Sequence, residues 1–509
     1  MPLMRFTQTL ILASLHAYLV AAALAQPFRI TVVDAESKRG VPLVELRTVN
    51  EMIFMTDSAG VVALDEPGLM NQNVYFWIKS HGYTFPADGF GYAGKALHIT
   101  PGGSATLEVN RINIAERLYR TTGEGTYSDS VKLGDAPPIE QPVLNGEVFG
   151  QDSVQRIIYR GQIHWFWGDT SRARYPLGNF HGSGAVSDLP GQGGLDPSVG
   201  VNLRYLVNEE GFSKRMCPMG DKPGPVWFDG LFTAKDSSGR ERLLCHYVRV
   251  KTLGELYEQG YALYNDAQDI FEPITQFPLD APLHSRSHPI SHVEEGVEYY
   301  YFPSPYAMVR CRADYDSLLD PAQYEAFTCL KPGTLYAKET SQLDRDASGK
   351  LIYGWKKNTG LVEAGQQNEL IQAGLMSEDE AYIQTRDVES GKKVIGHSGS
   401  INWNEYRRCW VMILQEVWGS SMLGEVWYLE SPTLVGPWPS ARKIITHDDY
   451  SFYNVVHHPF FDQKGGQLIY LEGTYTRMFS GNAVSTPRYD YNQVMYRLDL
   501  ADTRLHSPQ

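Results

Sequence analysis

Residues 149–170, FGQDSVQRIIYRGQIHWFWGDT, predict a β-hairpin that carries an acidic residue on each strand. Arg160 and Gly161 form the turn, and aromatic residues dominate the strand that follows it. Asp152 lies as far before this turn as Asp169 lies after it. In a hairpin such residues are cross-strand neighbours, with Cβ atoms about 5 Å apart when directly opposed. The sequence therefore predicts two carboxylates at one edge of a sheet.

The layout of this hairpin recurs along residues 142–502. Each unit has a strand, a tight turn and a strongly apolar strand, and several units add a third and a fourth strand. The second strands read IHWFWGD, RLLCHYV, VEYYYF, CWVMILQ and QLIYLEG. Insertions, chiefly residues 331–392, make the intervals uneven. Diverged repeats of this kind are typical of blades around a central channel. We predict an all-β protein in which residues 142–502 form a five-bladed β-propeller.

Residues 27–115 contain short strands separated by turn-forming segments such as SKRG, DSAG and TPGG. This pattern predicts a small antiparallel β-sandwich. The stretch VVDAESKRGVPLVELRTVNEMIFMTDSAGVVAL resembles the carboxypeptidase-regulatory-like, transthyretin-like domains, through Gly-Val-Pro in a hairpin and a later Thr-Asp-x-x-Gly. The resemblance implies a module without catalysis of its own, in a supporting or binding role. Residues 116–141 are predicted to connect the two domains.

The N-terminus has the pattern of a secretory signal peptide. Arg5 precedes an apolar run over residues 10–23, and Ala23-Leu24-Ala25 gives a small-x-small cleavage site before Gln26. An uncleaved membrane anchor is the alternative, but the run is shorter than the ~20 apolar residues that a span needs. We expect residues 1–25 to be removed and the mature protein to be secreted or periplasmic, with no membrane span.

Composition excludes several classes of partner. The formal net charge of −14 argues against nucleic acid or an anionic membrane as the main partner. The 5 cysteines lack the spacing of a zinc or redox motif, so we treat them as structural. We expect a carbohydrate substrate and neither a cofactor nor a metal. The oligomeric state stays open.

The chain resembles the five-bladed propeller glycoside hydrolases of the arabinanase and xylosidase type. The stretches that carry this resemblance are QDSVQRIIYRGQIHWFWGDT in the first unit, PVWFDGLF at residues 225–232 and YLESPTLVGPWPS at residues 428–440. The resemblance implies hydrolysis of a poly- or oligosaccharide by carboxyl groups at the mouth of the propeller.

The roles implied by that resemblance can be carried over for two of three catalytic acids. Asp152 matches the general base that opens the first blade, and Asp229 matches the residue that adjusts a neighbour's pKa. The general acid of these enzymes is a Glu that opens the third blade, where this chain has SRSHPISH with His288. Glu472, Glu416 and Asp169 remain as candidates for the acid. We take Glu472, because burial after the apolar strand LIYL would raise its pKa.

Further polar and aromatic residues are expected at the same mouth. Flat rings can stack on sugars, while amide, imidazole and carboxyl groups can bind hydroxyls. The ordinary alternatives are blade packing for the aromatic residues and turn capping for the polar ones. The predicted substrate-binding residues are Asp169, His288, Trp403, Asn404, Tyr453, Asn454 and His457.

Three functions remain open on sequence grounds. The first is an exported glycoside hydrolase, which the carboxylates at the mouth favour. The second is a non-catalytic glycan-binding or cell-envelope interaction protein on the same scaffold, which the missing Glu of the third blade favours. The third is a lyase that uses His288 or a Tyr as its base.

Overall fold

The computed structural model describes residues 26–505 except residues 221–223 and 253, so the predicted signal peptide lies outside the described residues. Most elements are β-strands and the helices are few and short, which confirms the all-β class. The chain divides into two compact units. The first contains the described residues up to Asn113 with Arg117–Arg120 and Gly125–Val143, and the second contains Ile114–Glu116, Thr121–Glu124 and the described residues from Leu144 on.

The first unit contains two sheets. Its strands are β1 (Phe28–Asp34), β2 (Glu45–Thr48), β3 (Ile53–Met55), β4 (Val61–Leu64), β5 (Asn73–Lys79), β6 (Tyr83–Thr84), β7 (Gly94–His98) and β8 (Ser104–Arg111). The strand orders are β4-β1-β8-β6 and β3-β2-β5-β7. Alternate residues are buried along β1 and β5, and both sheets contribute to one apolar cluster that includes Ile30, Val32, Phe76 and Ile78. Strand β9 (Glu116–Arg120) and the helix Ser128–Lys132 follow.

The second unit consists mainly of antiparallel sheets. Its strands are β10 (Gly150–Gln151), β11 (Gln155–Tyr159), β12 (Gln162–Trp167), β13 (Thr170–Arg172), β14 (Tyr175–Asn179), β15 (Ser183–Asp188), β16 (Arg204–Tyr205), β17 (Val226–Lys235), β18 (Glu241–Thr252), β19 (Glu255–Asn265), β20 (Ile270–Gln276), β21 (Ile290–Glu294), β22 (Val297–Tyr301), β23 (Val309–Arg312), β24 (Glu325–Thr328), β25 (Gly354–Lys357), β26 (Arg386–Asp387), β27 (Gly396–Asn404), β28 (Cys409–Glu416), β29 (Val426–Ser431), β30 (Ser440–Ile445), β31 (Ser451–His457), β32 (Leu468–Thr476) and β33 (Asn492–Asp499).

Successive stretches of the second unit form sheets that we number I to V. Sheet I has the order β11-β12-β15-β16, sheet II β17-β18-β19-β20 and sheet III β21-β22-β23-β24-β25. Sheet IV has the order β27-β28-β29-β30-β26, and sheet V contains β31, β32 and β33 in that order. Each sheet begins with a hairpin whose second strand is strongly buried in sheets I, II, IV and V. A small sheet of β10, β13 and β14 accompanies sheet I.

Short helices lie between the strands. Among the described residues of the second unit, the α-helices are Tyr315–Leu319 and Ala364–Gln372, and the 3-10 helices are Pro321–Gln323, Lys338–Thr340, Glu378–Glu380, Pro459–Phe461, Lys464–Gly466 and Thr503–Leu505. Ala364–Gln372 lies in the insertion predicted from the sequence and begins with a capping box between Glu363 and Gln366. In the described part of the chain, no helix has the length and apolar character needed to cross a membrane.

Candidate active site

A cavity of about 760 Å³ opens within the second unit. Its walls are formed where the first strand of a sheet begins and where the second strand of the same hairpin ends. In sheet I, Asp152 lies just before β11 and Asp169 just after β12, and both line the cavity. In an antiparallel hairpin these two positions lie side by side, so every sheet that begins at the cavity presents two backbone segments to it. Polar side chains concentrate at this level.

Asp152 precedes β11 and is held by tyrosine hydroxyls. The hydroxyl of Tyr453 donates to Asp152 Oδ2 at 2.6 Å, and Tyr491 interacts with the same carboxyl group. Burial raises the pKa of Asp152 to about 6, against the lowering effect of the Tyr453 hydrogen bond, and the charge of Asp169 adds to the rise. Asp152 is therefore a carboxyl group that keeps its proton up to about pH 6, well above the ordinary range of an aspartate.

Asp169 follows β12 on the other side of the hairpin. The indole N–H of Trp227 donates to Asp169 Oδ1 at 3.2 Å, and burial raises the pKa of this carboxyl as well. Strands β11 and β12 are paired from Tyr159 opposite Gln162, next to the turn, to the start of β11. Beyond the paired residues, the backbone N–H of Gly168 donates to the Asp152 carbonyl at 2.8 Å. The hairpin thus brings Asp152 and Asp169 to the same cavity.

Gly168 lets the Asp152 carboxyl lie against the backbone. A Cβ atom at position 168 would lie 2.3 Å from Asp152 Oδ1, which no side chain can tolerate without displacing that group. The glycine of the WGDT segment is therefore required by close approach of the carboxylate.

Asp229 reaches the cavity through a β-bulge in β17. The register between β17 and β18 shifts just after Asp229, where Gly230 has a φ of 60°. Ser287 donates its backbone N–H to Asp229 Oδ2 at 2.9 Å and accepts the Gly230 N–H at 3.1 Å. His246, directly opposite on β18, places Nδ1 3.1 Å from Asp229 Oδ1.

Asp229 has the opposite electrostatic behaviour to Asp152. Burial alone would raise the pKa of Asp229, but the hydrogen bond and charge of His246, with the Ser287 N–H, outweigh burial and lower it. The Asp229 side chain is 38 % exposed, so it stays accessible. One cavity therefore holds a carboxyl group with a raised pKa and another that stays ionised.

Nitrogen-containing side chains form the wall before sheet III. Arg286, His284 and His288 line the cavity, and the rings of His284 and His246 stack with centroids 4.1 Å apart. Burial lowers the pKa of His284 to about 3 and that of His288 well below its usual range, so both are neutral. Arg286 Nη1 lies 3.6 Å from Oε1 of Glu363, which belongs to the insertion.

Strained backbone concentrates around the cavity. Ser153, Ser287, Asn454, Phe479 and Tyr491 line it, and each has a φ between 52° and 66°. Positive φ costs a residue with a Cβ atom about 1–3 kcal/mol, so such residues persist only where the surroundings enforce them. Asn454 shows how: its side chain donates to Ser153 Oγ at 2.7 Å, within a bulge of β31.

The cavity contains six of the residues predicted from the sequence and omits the rest. Those that line it are Asp152, Asp169, Asp229, His288, Tyr453 and Asn454. Glu472, Trp403, Asn404 and His457 do not line it.

Glu472 lies in the middle of β32, whose residues are all buried. Its Oε2 is 2.9 Å from His458 Nε2, and both side chains are fully buried. Burial raises the pKa of Glu472 to about 8, opposed by the nearby Thr121 hydroxyl, and burial lowers that of His458 well below its usual range. The structure corrects the expected position of Glu472 at the mouth: it belongs to a neutral pair inside the sheet.

Trp403, Asn404 and His457 lie at the far ends of strands that begin near the cavity. Trp403 packs on Trp410, with ring centroids 5.6 Å apart. Asn404 donates to the Gly466 carbonyl at 2.8 Å, and His457 Nε2 is 2.7 Å from Asp462 Oδ1. Their expected position at the mouth is corrected, because β27 and β31 run away from the cavity before reaching them.

Other cavity residues were missed by the sequence analysis. They include His246, His284, Arg286, His397, Tyr491 and Phe479. His246 lies opposite Asp229 only because the register shifts after Asp229, so counting outward from the turn of the second hairpin would not have identified it. Tyr491 and Phe479 belong to a long loop between β32 and β33, whose path no local pattern specifies.

No group of three or more His, Cys, Asp or Glu side chains within the described residues is arranged to hold a metal ion.

No protein-family model matches the chain, and no curated protein matches it. Solved structures that resemble it include an exo-β-1,3-galactanase from Phanerochaete chrysosporium with β-1,3-galactotriose, at 8 % identity over 76 % of this chain and 65 % of that chain, with a TM-score of 0.36. An exo-1,5-α-L-arabinanase from a bovine ruminal metagenomic library has 8 % identity over 69 % and 94 % of the two chains, with a TM-score of 0.33. A GH43 β-xylosidase/α-arabinofuranosidase from a compost microbial metagenome, with xylotriose, has 12 % identity over 70 % and 92 %, with a TM-score of 0.32. Likeness at these values assigns no function to this chain.

Proposed function

We propose that the protein is an exported glycoside hydrolase that cleaves a poly- or oligosaccharide in the cavity of the second unit. The observation that supports this most is the opposite shift of the Asp152 and Asp229 pKa values in one cavity. Glycosidic cleavage needs one carboxyl group that is protonated and one that is ionised. Paired carboxyl groups with separated pKa values are the usual source of both states.

In this proposal Asp152 is the general acid and Asp229 the ionised partner. Asp152 gives its proton to the leaving oxygen as the glycosidic C–O bond breaks. A water molecule adds to the sugar carbon, and its proton passes to Asp229. The raised pKa of Asp152 makes it the donor, in place of the base role that the family resemblance implies. Glu472 takes a structural role, because it lies outside the cavity.

The remaining lining suits a sugar. Trp227 and Phe228 supply flat apolar surface, and Arg286 and Asn454 supply hydrogen-bond donors. Binding sites for small molecules commonly combine mostly apolar walls with a few placed polar groups. Asp169, Tyr453 and His288 are proposed to contact sugar hydroxyls or to position Asp152.

The finer fold assignment belongs to the same proposal. Sheets I to V are proposed to be the blades of a five-bladed propeller, and the first unit a β-sandwich that supports the enzyme or binds a ligand. Cleavage of residues 1–25 by an export pathway is proposed from the sequence pattern described above.

The experiment that tests this function is a screen of the purified full-length protein for reducing ends on plant and algal polysaccharides. We expect release from at least one neutral polysaccharide, with a fall of about 10²–10⁴-fold in Asp229→Asn. Binding of a polysaccharide with no release by the unmodified protein would favour the non-catalytic glycan-binding alternative. Release of unsaturated products, detected by ultraviolet absorbance, would favour a lyase.

A further inference from the structure

Two loops that line the cavity each carry an exposed aromatic side chain. Trp418 is 70 % exposed and Phe479 is 42 % exposed. Phe479 lines the cavity itself. Trp418 lies in a tight turn in which its N–H donates to the Met422 carbonyl at 2.8 Å, and Met422 also lines the cavity. Two exposed rings therefore lie on loops that contribute to the cavity, one after β28 and one after β32.

Both rings are presented by a constrained backbone. Trp418 has a φ of 68° and Phe479 a φ of 66°, a region that residues with a Cβ atom rarely adopt. The first loop is fixed by a 2.6 Å hydrogen bond from the Ser421 hydroxyl to the Tyr450 carbonyl. In the second loop, the backbone N–H of Arg477 donates to Asp490 Oδ1 at 2.7 Å. The loops are anchored while the rings remain in solvent, as expected of a preformed contact surface.

The aromatic surface continues to the proposed general acid. The Phe479 ring packs edge-on against Tyr453, with centroids 5.7 Å apart and an interplanar angle of 74°. Tyr453 in turn donates to Asp152. A sugar bound on Phe479 would therefore lie next to the tyrosine that holds the proposed general acid.

We propose that Trp418 and Phe479 form a subsite for sugar units that extend beyond the cavity. The inference rests on the proposed function and adds that the substrate is a saccharide chain, not a glycoside of one sugar. Contiguous exposed apolar surface is one mark of a ligand-binding groove, and the proposal requires a bound chain to contact both rings. Flat rings offer a large contact area at low conformational cost and suit the C–H faces of a sugar.

The test measures binding in an Asp229→Asn background, which is expected to prevent turnover. Disaccharides and hexasaccharides of the xylan, arabinan and β-1,3-galactan series are titrated by calorimetry. We expect hexasaccharide affinity in at least one series to fall about tenfold with Trp418→Ala and with Phe479→Ala. Trp418→Phe should retain most of the affinity, since the flat ring remains. Tyr406→Ala is the matched control, because Tyr406 is 44 % exposed and lies in the turn after β27, at the end of that strand away from the cavity.

The outcomes separate this inference from the proposed hydrolysis. Equal hexasaccharide affinity in the Trp418→Ala, Phe479→Ala and control proteins overturns the subsite, even if the unmodified protein cleaves the substrate. Ring-dependent hexasaccharide binding with no cleavage by the unmodified protein supports the subsite and overturns the hydrolase. Absence of binding in all three series overturns the subsite.

Discussion

Tyr453 and Asp152 are joined by a hydrogen bond of 2.6 Å from the tyrosine hydroxyl to Oδ2 of the carboxyl group. This bond favours the ionised form of Asp152 and opposes the effect of burial, which raises the pKa to about 6. The pKa of the proposed general acid is therefore set by two opposing effects: burial raises it and the Tyr453 hydrogen bond lowers it.

Removing the hydroxyl should extend activity to higher pH. Tyr453→Phe deletes a donor to the ionised carboxyl, so the pKa of Asp152 should rise and the protonated acid should persist further. Because a hydrogen bond to a charged group is worth about 1.5–3 kcal/mol, we expect the alkaline limb of the kcat/KM profile to move up by about one to two pH units. If the variant stays active and its alkaline limb does not move, Asp152 is not the group whose ionisation causes that limb.

Removing the neighbouring charge should have the opposite effect. Asp169→Asn deletes a carboxylate that raises the pKa of Asp152, so the acid should lose its proton at lower pH. The alkaline limb should therefore move down, and the same pH series measures it. A shift in the same direction as that of Tyr453→Phe would contradict the electrostatic account.

A methyl group at position 168 should disturb Asp152 without removing any charge. In Gly168→Ala the added Cβ would lie 2.3 Å from Asp152 Oδ1, so the carboxyl must move. We expect kcat to fall by about 10²-fold, as for displacement of a catalytic group by about 1 Å. Gly354→Ala is the control, because its Cβ meets no atom within 4 Å. Equal activity of both variants would show that the close approach is unimportant.

The buried pair of Glu472 and His458 should affect stability more than catalysis. Folding raises the pKa of Glu472 to about 8, so the native state keeps a proton that the unfolded chain loses near its ordinary value. Stability from this group is full at low pH and is lost as pH rises through about 8. Glu472→Gln should keep activity and show a flatter melting temperature between about pH 6.5 and 8. If the melting temperatures of the variant and of the unmodified protein change with pH in the same way, Glu472 is already ionised in the folded protein over this range.

The hairpin that carries Asp152 and Asp169 was predictable because its turn and alternation are local. Counting outward from Arg160 and Gly161 gives the observed register. The bulge that aims Asp229 at Ser287 also relies on a visible Gly230, although its tertiary partner is not local.

The errors arise where distance along a strand or the environment in the sheet decides the outcome. The aromatic Trp403 and the polar Asn404 lie near a turn, which led to their prediction at the mouth. That turn lies at the end of β27 away from the cavity. Glu472 follows an apolar run because the whole of β32 is buried, not because it faces a pocket. Loop residues such as Phe479 are placed by contacts between distant segments, which local patterns do not contain.

The most direct test of the two proposed carboxyl roles compares a natural oligosaccharide with an aryl glycoside whose leaving group needs no proton. Turnover of the oligosaccharide by Asp152→Asn should fall by about 10²–10⁴-fold. The aryl glycoside should recover most of that loss in Asp152→Asn, but none of it in Asp229→Asn. Equal losses on both substrates in both variants would contradict the assignment of Asp152 as the proton donor. Full activity of either variant on the oligosaccharide would contradict the proposed site itself.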